Sequence, residues 1–257
     1  MFSPNSVAKD EAIMTAVIER LHNRRYEVVA VSEEDCPLTD IQPSAFDIVL
    51  SMGRHPETLR WVASLDVLAV NSPQGVAHCH RRMLEQLMRD NKIPIPPQTG
   101  TKGYWLKRGD GAAQTKDDVV FAADEEEMMC KINDFRQRGI DYTVSAHVVG
   151  DVVKFYGVCN SGFFRYYYPT DDGDTKFGEE LHNGPAHHYP FNVADLQQTM
   201  ERFAGIVGIK VYGGDCIVRQ NGTFCIVDFN DWPSFSRCRD EAAEAIVELV
   251  EEEEVKK

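Results

Sequence analysis

Asp215, Asp228 and Asn230 place oxygen-bearing side chains on the strand-like parts of a stretch between residues 211 and 236. Two apolar runs, Val211 to Val218 and Thr223 to Val227, flank Gln220-Asn221-Gly222. An Asn-Gly between strand-like runs signals a hairpin with positive φ at both turn residues. Asp228 and Asn230 are two apart, so on a strand they share a face, and Asp215 can stand opposite them. Two carboxylates and an amide carbonyl on one face suit a hard cation such as Mg²⁺, which takes oxygen ligands and works beside phosphates. The competing reading is that these are strand-end and turn residues, where Asp and Asn are common. Carboxylates inside apolar runs nevertheless need a reason to be there.

Cations that could serve such a site are spread along the chain. Lys107 ends a strand and precedes a small-residue loop of Gly109, Gly111, Ala112 and Ala113. Loops of this kind let backbone amides approach phosphate oxygens. Lys154 and Arg165 sit on alternating polar–aromatic strands and could act as catalytic cations in a cleft, or lie on an exposed strand face. His182, His187 and His188 show no metal-ligand spacing.

These residues need elements to hold them. Ile13, Val17 and Leu21 form an apolar helical stripe after Ser3-Pro4. Strands at 26–31, 46–50 and 67–70, with a helix at 56–63, imply a small parallel sheet. Ser72-Pro73 starts a helix whose inner stripe is read as Val76, Cys79, Met83 and Leu87, and Pro94, Pro96 and Pro97 stop it. A strand–loop–strand spans 104–121, and Asp124 caps a helix through Arg138 with Met128, Ile132 and Phe135 inside. Strands at 142–149, 152–159 and 163–168 follow. A long polar loop at 170–190 then reads as a lid, a substrate loop or a disordered segment. A helix at 193–207 leads into the hairpin, and a last helix follows it. The closing EEEEVKK reads as a frayed, solvated helix end.

Composition narrows the function classes. The 257 residues, 43% hydrophobic and 26% charged, suffice for a full core and two or three subdomains. A formal net charge of −14 argues against nucleic acid as a partner. No apolar run matches a membrane span. Seven cysteines without C-x-x-C spacing read as reduced thiols in a cytoplasmic protein. Cys216 and Cys225 can face each other across the hairpin, as free thiols in preference to a disulfide.

The run DCIVRQNGTFCIVDFNDWPSF resembles the metal-binding hairpin of the ATP-grasp superfamily. The resemblance implies an α/β and α+β fold: a small N-terminal parallel-sheet domain over 1–70, an ATP-grasp domain over 71–250, and an acidic tail over 251–257. The family's first domain opens with a strand that is absent here. Either the protein begins upstream of Met1 or the sheet is one strand short, and the exposed edge a lost strand would leave favours the former. By position, the resemblance makes Asp215, Asp228 and Asn230 the Mg²⁺ ligands and sets Lys107 on the α- and β-phosphates beside Gly109 and Gly111. The N-S-P…I-P-x-P segment brings a basic residue to the phosphates, and of Arg81 and Arg82 the choice falls on Arg82. A hinge at 146–149 would bind adenine through the backbone of Ala146 and Val148, and Asp151 would take the ribose. Arg237 would face the acceptor. Ser234 stands where many ligases have Gly.

The cofactors implied are ATP and Mg²⁺. The activity implied is ligation of a carboxylate to an amine through an acylphosphate. DFNDWPSF is also similar to the D-x-N-x-F-P segment of inositol-trisphosphate kinases, so a small-molecule kinase acting on a polyol phosphate is the alternative. A nucleotide-binding regulator without turnover is the third. The partner expected is a small-molecule substrate, with a homodimer as the candidate assembly.

Overall fold

The computed structural model describes residues 4–36, 46–110, 115–172 and 182–256. Among these, the N-terminal unit holds helix α1 (Pro4–Asn23), strand β1 (Ile48–Leu50), helix α2 (Pro56–Ser64) and strand β2 (Leu68–Val70), with β1 and β2 parallel. The strand expected at 26–31 does not form. The segment runs irregularly, with Tyr26 and Val28 packed on the core while Val29 and Val31 are exposed. Ile13, Val17 and Leu21 are buried as their spacing predicts.

The N-S-P segment gives two helices instead of one, α3 (Pro73–His78) and α4 (Arg81–Asp90). The break at Cys79-His80 resets the helical phase, so the buried residues of α4 are Leu84 and Met88, and Met83 is exposed. Asn71 ties this segment to the C-terminal half: its Oδ1 accepts from the backbone N–H of Lys210 and Val211 at 2.7 and 2.8 Å, and its Nδ2 donates to the Val211 carbonyl at 2.7 Å.

Two antiparallel sheets follow. The smaller, in the order β4-β3-β5, contains β3 (Tyr104–Arg108), β4 (Val119–Ala122) and β5 (Tyr142–Ala146). Helix α5 (Glu125–Gln137), capped by Asp124 as expected, buries Ile132 and Phe135 with Tyr104 and Leu106 on the back of this sheet. Alternation along β3 therefore turns Trp105 and Lys107 to the front.

The larger sheet runs β7-β6-β8-β9, from β6 (Asp151–Val158), β7 (Phe164–Tyr167), β8 (Val211–Val218) and β9 (Phe224–Asp231). One face packs on α4 and α6 (Val193–Val207) through Val153, Phe155, Tyr212 and Phe229. The other packs at one end on α1 and α7 (Arg239–Val255) through Tyr156, Val158, Val211 and Trp232. Helix α7 runs through the segment read as a frayed tail. Glu253, ion-paired with Lys210 and Lys256 at 2.9 and 2.7 Å, and Glu254, accepting from Tyr26 at 2.7 Å, hold its last turns.

The hairpin forms with a different turn from the one expected. Gly222 has φ +80° and donates its N–H to the Arg219 carbonyl at 2.9 Å, whereas Asn221 is not among the residues of positive φ. The Asn221 side chain instead accepts from Thr223 N–H at 3.1 Å. Cys216 pairs with Ile226 and Cys225 with Ile217, so the two cysteines do not face each other, and both are free.

Candidate functional site: a cleft between two sheets

The register of β8 and β9 contains one irregularity, and it makes the site. Cys216 is opposite Ile226, but Asp215 is opposite Asp228, so Val227 is an extra residue on β9. In an unbroken ladder Asp228 and Asn230 would share the face of Phe224 and Ile226, which is the core. The bulge moves the rest of the strand by one residue and reverses its faces. Phe229 enters the core, while Asp228 and Asn230 come out beside Asp215.

Lys154 on β6 pairs with Asp215 on one side and Tyr167 on the other. Tyr167, Lys154, Asp215 and Asp228 thus form one row across four strands. Lys154 Nζ lies 2.7 Å from Asp215 Oδ1. Burial alone would lower the Lys154 pKa, but the Asp215 carboxylate holds it above the ordinary lysine value. Burial would likewise raise Asp228, yet Arg81, then Lys107, the Asn230 amide and Lys154 hold it below the usual carboxylate range. Asn230 Nδ2 donates to Asp228 Oδ2 at 3.1 Å, which leaves the amide's carbonyl oxygen as the atom that could take a cation. Opposite Asn230 stands Gly213, where Pro233 packs so closely that a Cβ would lie 2.8 Å from its Cγ.

The front of the small sheet faces this row. Trp105, Lys107, Ser145 and Val148 line a cavity with Ile217 and Val227. An adjoining cavity takes Lys107 and Asp228 together with Arg81 and Met88 of α4. Lys107 is nearly buried and points its Nζ to the Val227 carbonyl at 3.5 Å, so it bridges the two sheets at the bulge.

The two arginines divide differently from the expectation. Arg82 is 73% exposed and paired with Asp141 at 2.7 Å, away from the row. Arg81 is 21% exposed, lies 3.6 Å from Asp228 Oδ1, and has a buried Nε without a hydrogen-bond partner among the described residues. The reset helical phase explains this: Arg81 continues the Leu84–Met88 face.

The other candidate residues have the following surroundings. Gly109 gives its N–H to the Asp141 carbonyl at 2.7 Å and accepts from Arg82 N–H at 3.3 Å, so its backbone is spent on packing α4 and β5 together. Gly111, with Ala112 and Ala113, lies outside the described residues. Ala146 and His147 donate their N–H groups to the carbonyls of Pro97 and Gly103, both at 2.8 Å. Asp151 is only 2% exposed and accepts from the backbone N–H of His187 and Tyr189 at 2.7 and 2.8 Å. It anchors the 182–189 segment in this conformation instead of offering a carboxylate to the cleft. Arg165 is ion-paired with Glu241, Nε to Oε2 at 2.9 Å, on the exposed edge of the sheet. The Arg237 guanidinium lies over the Tyr167 ring, 5.4 Å from its centroid, at the end of the row.

Two further residues were not singled out from the sequence. Arg54, in the loop after β1, contacts Asp231 Oδ1 and the Asp231 carbonyl at 3.2 Å each, next to Asn230. Asn183 lines the cavity beside Val148. The chain leaves the site through Trp232 and Phe235, bulky buried residues at φ +38° and +47°. Left-handed conformations of that kind cost on the order of 1–3 kcal/mol each and persist where surrounding packing fixes them.

As a metal site, the donor set would be hard and short: two carboxylates and one amide oxygen. That matches Mg²⁺, which keeps few protein ligands. The Lys154 ammonium against Asp215 already shows the site's demand for positive charge.

No family model matches the chain, and no curated protein matches it in sequence. Solved structures do match in fold. The chain aligns over 92% of its length with 94% of a RimK domain ATP-grasp protein from Sphaerobacter thermophilus, at TM-score 0.64 and 18% identity. It aligns over 99% with 97% of a D-alanine–D-alanine ligase from Bacillus anthracis, at TM-score 0.64 and 12% identity. A third, the ATP-grasp ligase PsnB solved with a phosphomimetic precursor variant, Mg and ADP, matches 93% of this chain over 94% of its own at TM-score 0.58 and 13% identity. The protein has the ATP-grasp fold.

Proposed function

We propose that the protein is an ATP- and Mg²⁺-dependent ligase that joins a carboxylate to an amine, releasing ADP and phosphate. The observation that carries this reading is the row Lys154–Asp215–Asp228, with Asn230 beside it, facing a cleft closed by Lys107 and Arg81. Two of the three similar structures are ligases, and such ligases have been solved with ATP and with Mg and ADP.

Asp215, Asp228 and Asn230 would hold Mg²⁺, which neutralises charge on the β- and γ-phosphate oxygens. The base would lie in the apolar cavity between Val148 and Ile217, with the triphosphate running past Lys107 toward Arg81. Lys154, between Tyr167 and Asp215 in the row, would meet the γ-phosphate. The acceptor would enter from the Arg54 and Arg237 side, where guanidinium groups suit a carboxylate. Its oxygen attacks the γ-phosphorus as the bond to ADP breaks. The amine then attacks the acyl carbon, loses its proton to solvent and expels phosphate. Positioning and fixed positive charge supply the rate.

The test is ADP release with Mg²⁺-ATP against pools of amino acids, small carboxylates and inositol phosphates, with Asp228→Ala as control. Acceptor-dependent ADP with an equal amount of inorganic phosphate supports the ligase. A phosphoryl group left on the acceptor would make it a kinase, and ATP binding without turnover in every pool would leave a regulator.

A further inference from the structure

The 182–189 segment joins the two sheets at the base end of the cleft. His182 stacks on Phe121 of β4 with ring centroids 3.9 Å apart and meets Trp105 of β3 edge-on at 5.2 Å. At its other end, Asp151 of β6 accepts the N–H groups of His187 and Tyr189. Between these anchors, Asn183 lines the cavity that Trp105, Val148 and Ile217 enclose. Its Oδ1 accepts the Gly150 N–H at 3.0 Å. That bond fixes the orientation of the amide, so the Nδ2 donors are what Asn183 has left to offer the cavity.

We propose that Asn183 is a base-recognition residue, donating from Nδ2 to a ring-nitrogen acceptor of the purine bound beside the hinge. The inference rests on the nucleotide reading above and goes beyond it, because it assigns base selectivity to a side chain on a segment outside the hinge. An amide fixed by one backbone bond is a pre-organised donor, and a buried donor left without its acceptor weakens binding. The Asp151 carboxylate and the His182–Phe121 stack act as the supports that keep this donor in place.

The experiment is calorimetric titration of ATP, 3-deaza-ATP and 7-deaza-ATP into the wild type, Asn183→Asp and Asn183→Leu. Asn183→Asp keeps the acceptor that Gly150 uses and removes the donor. In the wild type, one of the two deaza analogues should bind about five- to tenfold more weakly than ATP, the size of one lost hydrogen bond. Both variants should bind ATP more weakly by a similar factor and show no further loss with that analogue. Identical deaza penalties in all three proteins would overturn the proposal while leaving the nucleotide reading intact. A wild type that does not bind ATP would remove the nucleotide reading and the proposal with it.

Discussion

Arg81 touches the cleft and Arg82, one residue on, is tied to Asp141 on the outer surface. Replacing Arg81 with Ala should therefore lower acceptor-dependent ADP release by tenfold or more, on the order of one lost phosphate contact, while Arg82→Ala stays within about twofold. The comparison is made at saturating ATP so that both rates report turnover. Asp151 offers a second residue-level test. If its carboxylate stays with the backbone of His187 and Tyr189, 2′-deoxy-ATP should bind within about twofold of ATP, less than one hydrogen bond's worth; a larger penalty would return it to the ribose. Asp215 and Asp228 were legible because carboxylates in apolar strands have few structural excuses, and Lys107 because it ends a strand before a small-residue loop. The choice between Arg81 and Arg82 was not, because it depends on a helix break at Cys79-His80 that no capping residue announces. Arg54 and Asn183 were missed for another reason: they meet Asp231 and the Val148 cavity from loops far away in sequence.

At the level of elements, the hairpin depends on Val227. The sequence showed two strands and a turn but not which face of β9 would carry the carboxylates. A trace of the answer is present in the spacing of Phe224, Ile226 and Phe229, which are buried or packed on one core at intervals of two and then three. That break in period is where the bulge falls. Phe229→Ala should cost about 3–5 kcal/mol of unfolding free energy, as other buried aromatic truncations do, measured by urea denaturation. Helix α7 gives a pH-dependent counterpart. Hydrogen bonds from Lys256 and Lys210 hold the Glu253 carboxyl below its ordinary value. A depressed carboxyl contributes stability above its unfolded pKa and loses it as pH falls through the folded one. Glu253→Gln should lower the urea midpoint at pH 7, and the gap to wild type should begin to close as pH falls below the ordinary glutamate value of about 4.3.

Across the whole molecule, most strands and helices followed from periodicity and turn residues, while the grouping into α+β subdomains came with the family resemblance. The irregular 26–31 segment and the ordered end of α7 did not, since both are decided by what α1 and α7 pack against. A chain of net charge −14 gathers Arg81, Lys107 and Lys154 around one pair of aspartates. Such a cleft should favour a metal-bound nucleotide over the free polyanion. Mg²⁺-ADP at about 100 times its dissociation constant should stabilise the fold by about 2.7 kcal/mol, raising the melting temperature by roughly 5–10 °C in a domain of this size. EDTA should abolish most of that rise, and Asp228→Ala should show little of it in either buffer.

The bulge at Val227 also bears on how this site can be lost or gained. Because the faces of a strand alternate, the reading frame of the ladder, and not the identity of any one residue, decides whether Asp228 and Asn230 meet the cleft or the core. Removing a single codon at Val227 would carry Asp228 and Asn230 inward and Phe229 outward in one step. Substitutions can erode the site gradually, whereas a one-residue deletion in β9 has no partial outcome.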